Sequence, residues 1–246
     1  MFIRTVPTEI MVEGRSLNAM LTAGASRVPG VLLVHGWDSD QGHYRTRAED
    51  IVALGCVCLT FDMRGHGCNQ AQHDAVSRED NLRDVLAAYD LLARQDTVDS
   101  KAIALVGTSY GGYLAALACN LRPVRWLALR APAIYPDAQW DVPKEALDRD
   151  AIDRYRQEVR APDANRALAA CAAFRGDALI VRSELDSVIP LPVIESYVEA
   201  LKPARSLTYR CVAGADHALS SGASQQAYDM VFTSWLTQML IDWRAA

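Results

Sequence analysis

The stretch Ile103-Ala104-Leu105-Val106-Gly107-Thr108-Ser109-Tyr110-Gly111-Gly112 places an apolar run before a serine set between glycines, and the small-residue helix pattern Tyr113-Leu114-Ala115-Ala116-Leu117-Ala118 follows directly. Such a pattern reads as a strand that turns abruptly into a helix. The central residue of so tight a bend is held at positive φ, and glycines on either side remove Cβ atoms that would collide. Ser109 is therefore expected at an exposed elbow. The helix that starts beneath it offers free N–H groups and the positive end of its dipole, which favour an oxyanion beside the serine hydroxyl. That pairing suits acyl transfer, although an ordinary glycine-rich turn shares the same five residues, so the rest of the chain must decide.

Outward from the elbow, apolar runs of strand length recur at 31–34, 57–61, 103–106, 124–129, 178–181 and 207–212, and helix-period segments fall at 43–54, 78–95, 110–120, 191–201 and 222–243. Apolar strands alternating with helices predict an α/β fold with a mostly parallel twisted sheet covered on both faces, ligands binding at the carboxyl ends of the strands. Near the amino terminus the segments 9–13 and 16–22 alternate apolar and polar residues around Gly14-Arg15, which predicts a hairpin. The stretch 133–176 exceeds what one crossover helix needs and is expected to form a cap insertion. Within it Lys144 to Val159, rich in alternating charge, predicts an exposed helix, and Ala-rich Asp163 to Phe174 predicts the crossover helix. Tyr135 and Trp140 precede both and are candidates for the wall of a substrate pocket, or for packing the insertion onto the body.

With 246 residues, half of them hydrophobic, the chain can bury a large core, and a single domain over 1–246 is expected. The net charge of −5 shows no basic stripe interleaved with aromatics, so a nucleic-acid partner is not expected. No stretch approaches the ~18–20 apolar residues of a membrane span, and the start Met1-Phe2-Ile3-Arg4-Thr5 lacks the apolar core of an export signal. These features predict a soluble, cytoplasmic protein without a membrane partner. The six cysteines lack zinc-site spacing and read as small core residues, Cys68 in a loop being the one candidate for thiol chemistry. No metal and no cofactor are expected.

A serine hydroxyl needs a base to take its proton, and the base needs an acid to orient it. In this strand and helix order the elbow serine precedes the acid, and the acid precedes the histidine. Of the five histidines, His35, His43, His66 and His73 precede Ser109, so His217 is the eligible base. It lies in the polar loop Gly214-Ala215-Asp216-His217-Ala218, between the last apolar strand and the last helix. Glu184, Asp186 and Asp216 compete for the acid. Asp186 is preferred because it follows the strand 178–181 by a short loop and precedes Val188-Ile189-Pro190 at a helix entry. Asp216 would need a tight backbone bend to reach the ring of its neighbour, and its side chain suits hydrogen bonds within its own loop. Two N–H donors must face the developing oxyanion. Tyr110, next to the serine, supplies one. The strand Val31-Leu32-Leu33-Val34 ends in His35-Gly36-Trp37, where glycine lets the backbone approach a substrate, so Trp37 is the candidate for the other. Arg130 could face the pocket and favour an acidic substrate, or form a structural ion pair.

With these features in order the chain resembles the α/β-hydrolases of serine type from about Gly30 onward, and in particular small bacterial esterases and serine aminopeptidase-like hydrolases, in which Phe-Asp-x-Arg-Gly-His-Gly recurs, here Phe61-Asp62-Met63-Arg64-Gly65-His66-Gly67. The resemblance implies the α/β-hydrolase fold, Ser109 as nucleophile, Asp186 as acid, His217 as base, Trp37 and Tyr110 as oxyanion donors, and a structural role for the loop that holds His66. One departure is Ser183-Glu184-Leu185-Asp186, where many relatives carry glycine in place of Ser183, which keeps Glu184 in contention. The expected activity is hydrolysis of a carboxylic ester of a small molecule. Amide, peptide or thioester cleavage on the same residues, or a non-catalytic binding protein of the same fold, are the alternatives. Acyl group, alcohol and oligomeric state are not legible.

Overall fold

The apolar runs become an eight-stranded sheet in the computed structural model, which describes residues 4–23 and 27–245. In chain order the strands are β1 (Arg4–Val12), β2 (Arg15–Ala23), β3 (Val28–Val34), β4 (Val57–Phe61), β5 (Val98–Thr108), β6 (Trp126–Arg130), β7 (Asp177–Ser183) and β8 (Ser206–Val212). They lie in the order β1-β2-β4-β3-β5-β6-β7-β8, antiparallel from β1 to β4 and parallel from β4 to β8. This is the mostly parallel α/β sheet that the alternation of strands and helices predicts, in the α/β-hydrolase arrangement that the resemblance implies.

Strand residues alternate between two apolar layers, as the two-residue repeat of a pleat requires. Val31, Leu33, Ala104, Val106, Leu179 and Val181 face α1 (Arg45–Ala53) and α7 (Gly222–Ala245). Leu32, Val34, Ile103, Leu105, Leu127 and Ile180 face the opposite layer, built on α2 (Arg78–Ala93), α3 (Tyr110–Ala118), α5 (Arg166–Ala173) and α6 (Leu191–Ala200). Because both faces are covered, the central strands are apolar where they cross the core, at residues 31–34, 103–106 and 126–129. Each fully buried aliphatic side chain contributes about 1.5–3 kcal/mol.

Several boundaries differ from the sequence reading. The hairpin turns at Glu13-Gly14, with φ of 49° and 78°, rather than at Gly14-Arg15, and its first strand begins at Arg4. Positive φ at both central positions makes this a two-residue hairpin turn of type I′, which matches the strand twist and places Arg15 opposite Val12. The helix expected over 43–54 opens as a 3-10 turn, Gln41–Tyr44, before α1. The single helix expected over Lys144–Val159 is broken: a 3-10 turn covers Lys144–Ala146, Leu147 is extended, and Asp148 caps a short α4 (Arg149–Tyr155) by accepting the Ala151 N–H at 3.0 Å. The Ala-rich helix starts only at Arg166, after Asn165 has capped it through the Ala167 N–H at 2.9 Å.

Buried polar side chains fix the β6–β7 segment, to the body through Arg78 and within itself through Arg156 and Asn165. Arg78, 1 % exposed, donates to the carbonyls of Pro136 (2.6 Å), Ala138 (2.5 Å) and Gln139 (2.8 Å). Arg156 donates to Ile134 at 3.1 Å and Asn165 to Tyr135 at 2.7 Å. Buried side-chain donors satisfying carbonyls in this way, two of them charged, fix a loop that has no ladder of its own. Among the described residues no helix is long and apolar enough to cross a membrane.

Candidate active site

β5 ends at Thr108 and α3 begins at Tyr110, so Ser109 forms the joint, at φ 53° and ψ −116°. The glycines are required by contacts between elements. A Cβ on Gly107 would overlap the carbonyl oxygen of Gly111, and one on Gly111 would overlap the carbonyls of Val34 and His35. The strained residue is held by three hydrogen bonds: its N–H donates to the Arg130 carbonyl at 2.9 Å, and its carbonyl accepts from Ala133 at 2.9 Å and Tyr113 at 3.1 Å.

His217 comes from the β8–α7 loop, 108 residues further along the chain, and its Nε2 lies 3.0 Å from Ser109 Oγ. Its Nδ1 lies 2.7 Å from Asp186 Oδ2. The other oxygen of Asp186 accepts the N–H groups of Val188 (2.9 Å) and Ile189 (2.8 Å) at the entry to α6. Burial pushes the Asp186 carboxyl up, but the hydrogen bond from His217 and those from the two backbone N–H groups outweigh it and hold the group below the usual carboxylate range. The rival carboxylates are engaged elsewhere. Glu184 accepts the Gly214 N–H at 2.7 Å, and Asp216 accepts the Ser220 N–H at 2.8 Å within its own loop.

The backbone around Gly36 is oriented by a residue to which the sequence reading gave no role. His35, 1 % exposed, accepts the Met63 N–H at Nε2 (3.1 Å), so its proton resides on Nδ1, which donates to the Gly36 carbonyl at 2.8 Å. The trans peptide then sends the Trp37 N–H away from His35. Among the described residues neither the Trp37 N–H nor the Tyr110 N–H has a protein acceptor. His66 lies beside the Trp37 ring, 4.5 Å between centroids, and its Nδ1 meets the Arg64 carbonyl at 3.0 Å. Arg64 in turn holds Asp84 at 2.7 Å, so the 61–67 loop is a scaffold for this corner of the site.

Arg130 lines a cavity beside the serine, but its side chain is spent on backbone and is not half of an ion pair. Its Nη1 donates to the His217 carbonyl at 2.8 Å, it is 7 % exposed, and among the described residues no carboxylate lies within salt-bridge distance of it. Its position at the end of β6, adjacent to β7, lets it reach across to the loop that carries His217. A lone arginine at a strand end carries no sequence signal for such a backbone contact.

Two cavities flank Ser109 and His217. One, of about 410 Å³, is walled by Tyr135, Lys144, Leu147, Ile152, Arg156 and Ile189; the other, of about 630 Å³, by Tyr44, Arg47, Thr108, Arg130, Leu219 and Gln225. Tyr135 thus lines a cavity beside the serine. Trp140 does not: it packs against Tyr113 with 6.4 Å between ring centroids and under the guanidinium groups of Arg78 and Arg166. Its sequence neighbour Asp141 and the turn at 144–146 lead the chain away, leaving Trp140 to anchor the segment. Cys68 is exposed and free, and among the described residues no group of three or more His, Cys, Asp or Glu side chains is placed to hold a metal ion.

Residues 27–234 match the serine aminopeptidase, S33 family. The chain belongs to this family of α/β hydrolases. No curated protein sequence matches it significantly. Among solved structures, this hydrolase is similar to Est1E from Butyrivibrio proteoclasticus with ferulic acid bound (19% identity, TM-score 0.71, covering 97% of this chain and 100% of that one). It is similar also to a dienelactone hydrolase from Anabaena variabilis (18%, 0.69, covering 96% and 98%) and to DcsB in complex with a substrate analogue (16%, 0.71, covering 97% and 99%). At these identities the likeness is one of fold.

Proposed function

We propose that this family member is a serine hydrolase that cleaves a carboxylic ester of a small molecule through an acyl-enzyme intermediate. The observation that carries the reading is the unbroken relay Ser109 Oγ, His217, Asp186, with contacts of 3.0 and 2.7 Å. His217 takes the serine proton as Oγ attacks the ester carbonyl; the tetrahedral oxyanion lies against the N–H groups of Trp37 and Tyr110. As the intermediate collapses, the imidazolium returns the proton to the leaving alkoxide. Water then repeats the sequence on the acyl-enzyme, with His217 as base, and releases the acid and free Ser109. Asp186 keeps the ring in the tautomer that presents a free Nε2 lone pair to the serine. The two cavities suit an ester with one arm on each side of the carbonyl.

The test is covalent labelling of Ser109 by a fluorophosphonate together with turnover of a chain-length series of nitrophenyl esters, run beside anilides and acyl thioesters. Labelling with fastest turnover of esters is expected. Absence of labelling, or anilides turned over faster than esters, would replace this reading by a binding protein or an amidase.

A further inference from the structure

Lys144 is the most unusual charged group in the smaller cavity. Its side chain is 12 % exposed, and Nζ lies 3.7 Å from the centroid of the Trp37 ring, 5.5 Å from that of Tyr110 and 6.0 Å from that of Tyr135. The nearest carboxylate oxygen, Glu145 Oε1, is 3.9 Å away, beyond hydrogen-bond distance. That carboxylate is already committed, with Oε1 accepting the Trp37 indole N–H at 2.8 Å and Oε2 accepting Arg149 at 2.7 Å. Among the described residues, then, the three N–H donors of this ammonium group have no acceptor. Aromatic faces offset only part of the cost of withdrawing an ammonium group from water.

The surroundings are also unbalanced in charge. Arg156, with a side chain 9 % exposed, lines the same cavity and lies 5.0 Å from the Tyr135 ring centroid, its Nε spent on the Ile134 carbonyl. The remaining acids of the lining are turned to solvent: Asp38 and Asp153 have side chains 76 % and 70 % exposed. The inner wall therefore holds two cations against one carboxylate, Glu145, and the ammonium group of Lys144 meets that carboxylate only at 3.9 Å, without a hydrogen bond. Burial pulls the Lys144 ammonium down to about 8, with Glu145 and Asp38 opposing and Arg156 and Arg149 reinforcing, so the charged form still predominates at neutral pH. A bound anion would complete this site.

We propose that the smaller cavity selects esters carrying a carboxylate group and that Lys144 is the specificity-determining partner of that carboxylate. The proposal rests on the ester-hydrolase reading and names its substrate class. Lys144 sits on the β6–β7 segment, where its own N–H donates to the Val76 carbonyl at 2.9 Å, so its backbone is fixed to the body of the fold. Trp37, under the ammonium group, is also the residue assigned as an oxyanion donor, which ties recognition of the anion to the reacting carbonyl.

Binding is best read on Ser109→Ala, where turnover does not interfere. Para-nitrophenyl hydrogen glutarate and para-nitrophenyl valerate match in length and differ in the terminal carboxylate of the acyl arm; carboxyphenyl butyrate and phenyl butyrate differ likewise in the alcohol arm. In at least one pair the anionic ester is expected to bind roughly 10- to 100-fold more tightly, the range for a hydrogen-bonded charge. Lys144→Met in the same background should erase most of that preference, and Lys144→Arg should keep part of it. Equal affinities within both pairs, or a preference that survives Lys144→Met, would overturn the proposal. Fluorophosphonate labelling of the wild-type serine is scored separately, so failure of the hydrolase reading is distinguishable from failure of this one.

Discussion

Arg130 donates a hydrogen bond to the carbonyl of His217 across the carboxyl edge of the sheet, at 2.8 Å, while Ser109 donates its N–H to the carbonyl of the same arginine at 2.9 Å. One residue of β6 thus ties the elbow that bears the serine to the loop that bears the histidine. The Ser109–His217 distance is set through this link as well as through Asp186.

Replacing Arg130 by Met removes the side-chain half of the link and leaves the backbone half intact. Turnover of a nitrophenyl ester is expected to fall by about 10- to 100-fold, because small displacements of a reacting pair cost that much. Steady-state kinetics on the folded variant check this. A rate within twofold of wild type would show that Asp186 alone positions the ring.

Ser109→Ala deletes the proposed nucleophile without touching the core. Turnover is expected to drop by on the order of 10⁴- to 10⁶-fold, with fluorophosphonate labelling lost and thermal unfolding preserved. Labelling and turnover that persist would place the reaction elsewhere.

Among the three carboxylates near His217, Asp186→Asn should be the severe change, lowering turnover by up to ~10⁴-fold, since an amide favours the unproductive imidazole tautomer. Glu184→Gln and Asp216→Asn should stay within about tenfold of wild type. Each of these amides can still accept the backbone N–H that its carboxylate accepts now, from Gly214 and Ser220. Parallel kinetics of the three variants test the assignment, and a reversed order would move the acid to Glu184 or Asp216.

Stability is expected to fall with acid well before the carboxylates titrate. Burial pulls the pKa of His66 down to about 3, reinforced by the charge of His35, and burial likewise lowers that of His35. An unfolded histidine titrates near ~6.5, so below that pH the unfolded chain binds protons that the folded chain refuses. The contribution of each group is intact above ~6.5 and is lost as pH falls toward the folded value, at a limiting slope of ~1.4 kcal/mol per pH unit per histidine. Denaturant midpoints between pH 6.5 and 4.5 should show this slope, and His66→Asn should flatten it by one histidine's share. An unchanged slope in that variant would mean that His66 is protonated in the folded protein.

The sequence alone determined the parts of this molecule that are governed by local rules. Alternation of apolar runs with helix-period segments defined the parallel sheet, because a strand covered on both faces has no polar position to spare. The glycine spacing around Ser109 marked the elbow, since only Cβ-free residues let α3 pass so close to β3 and β5. Chain order then left His217 as the eligible histidine, and the loop before Val188-Ile189-Pro190 favoured Asp186; these are the side chains that the fold brings to 3.0 and 2.7 Å. Tertiary structure decided what depends on long-range approach. The anchoring of Trp140 under Arg78 and Arg166, the reach of Arg130 to His217 and the seat of Lys144 on Trp37 all join residues far apart in the chain. Such contacts have no period and no spacing. They arise from the shape left when the β6–β7 segment closes over the carboxyl edge of the sheet, and a linear pattern does not encode that shape.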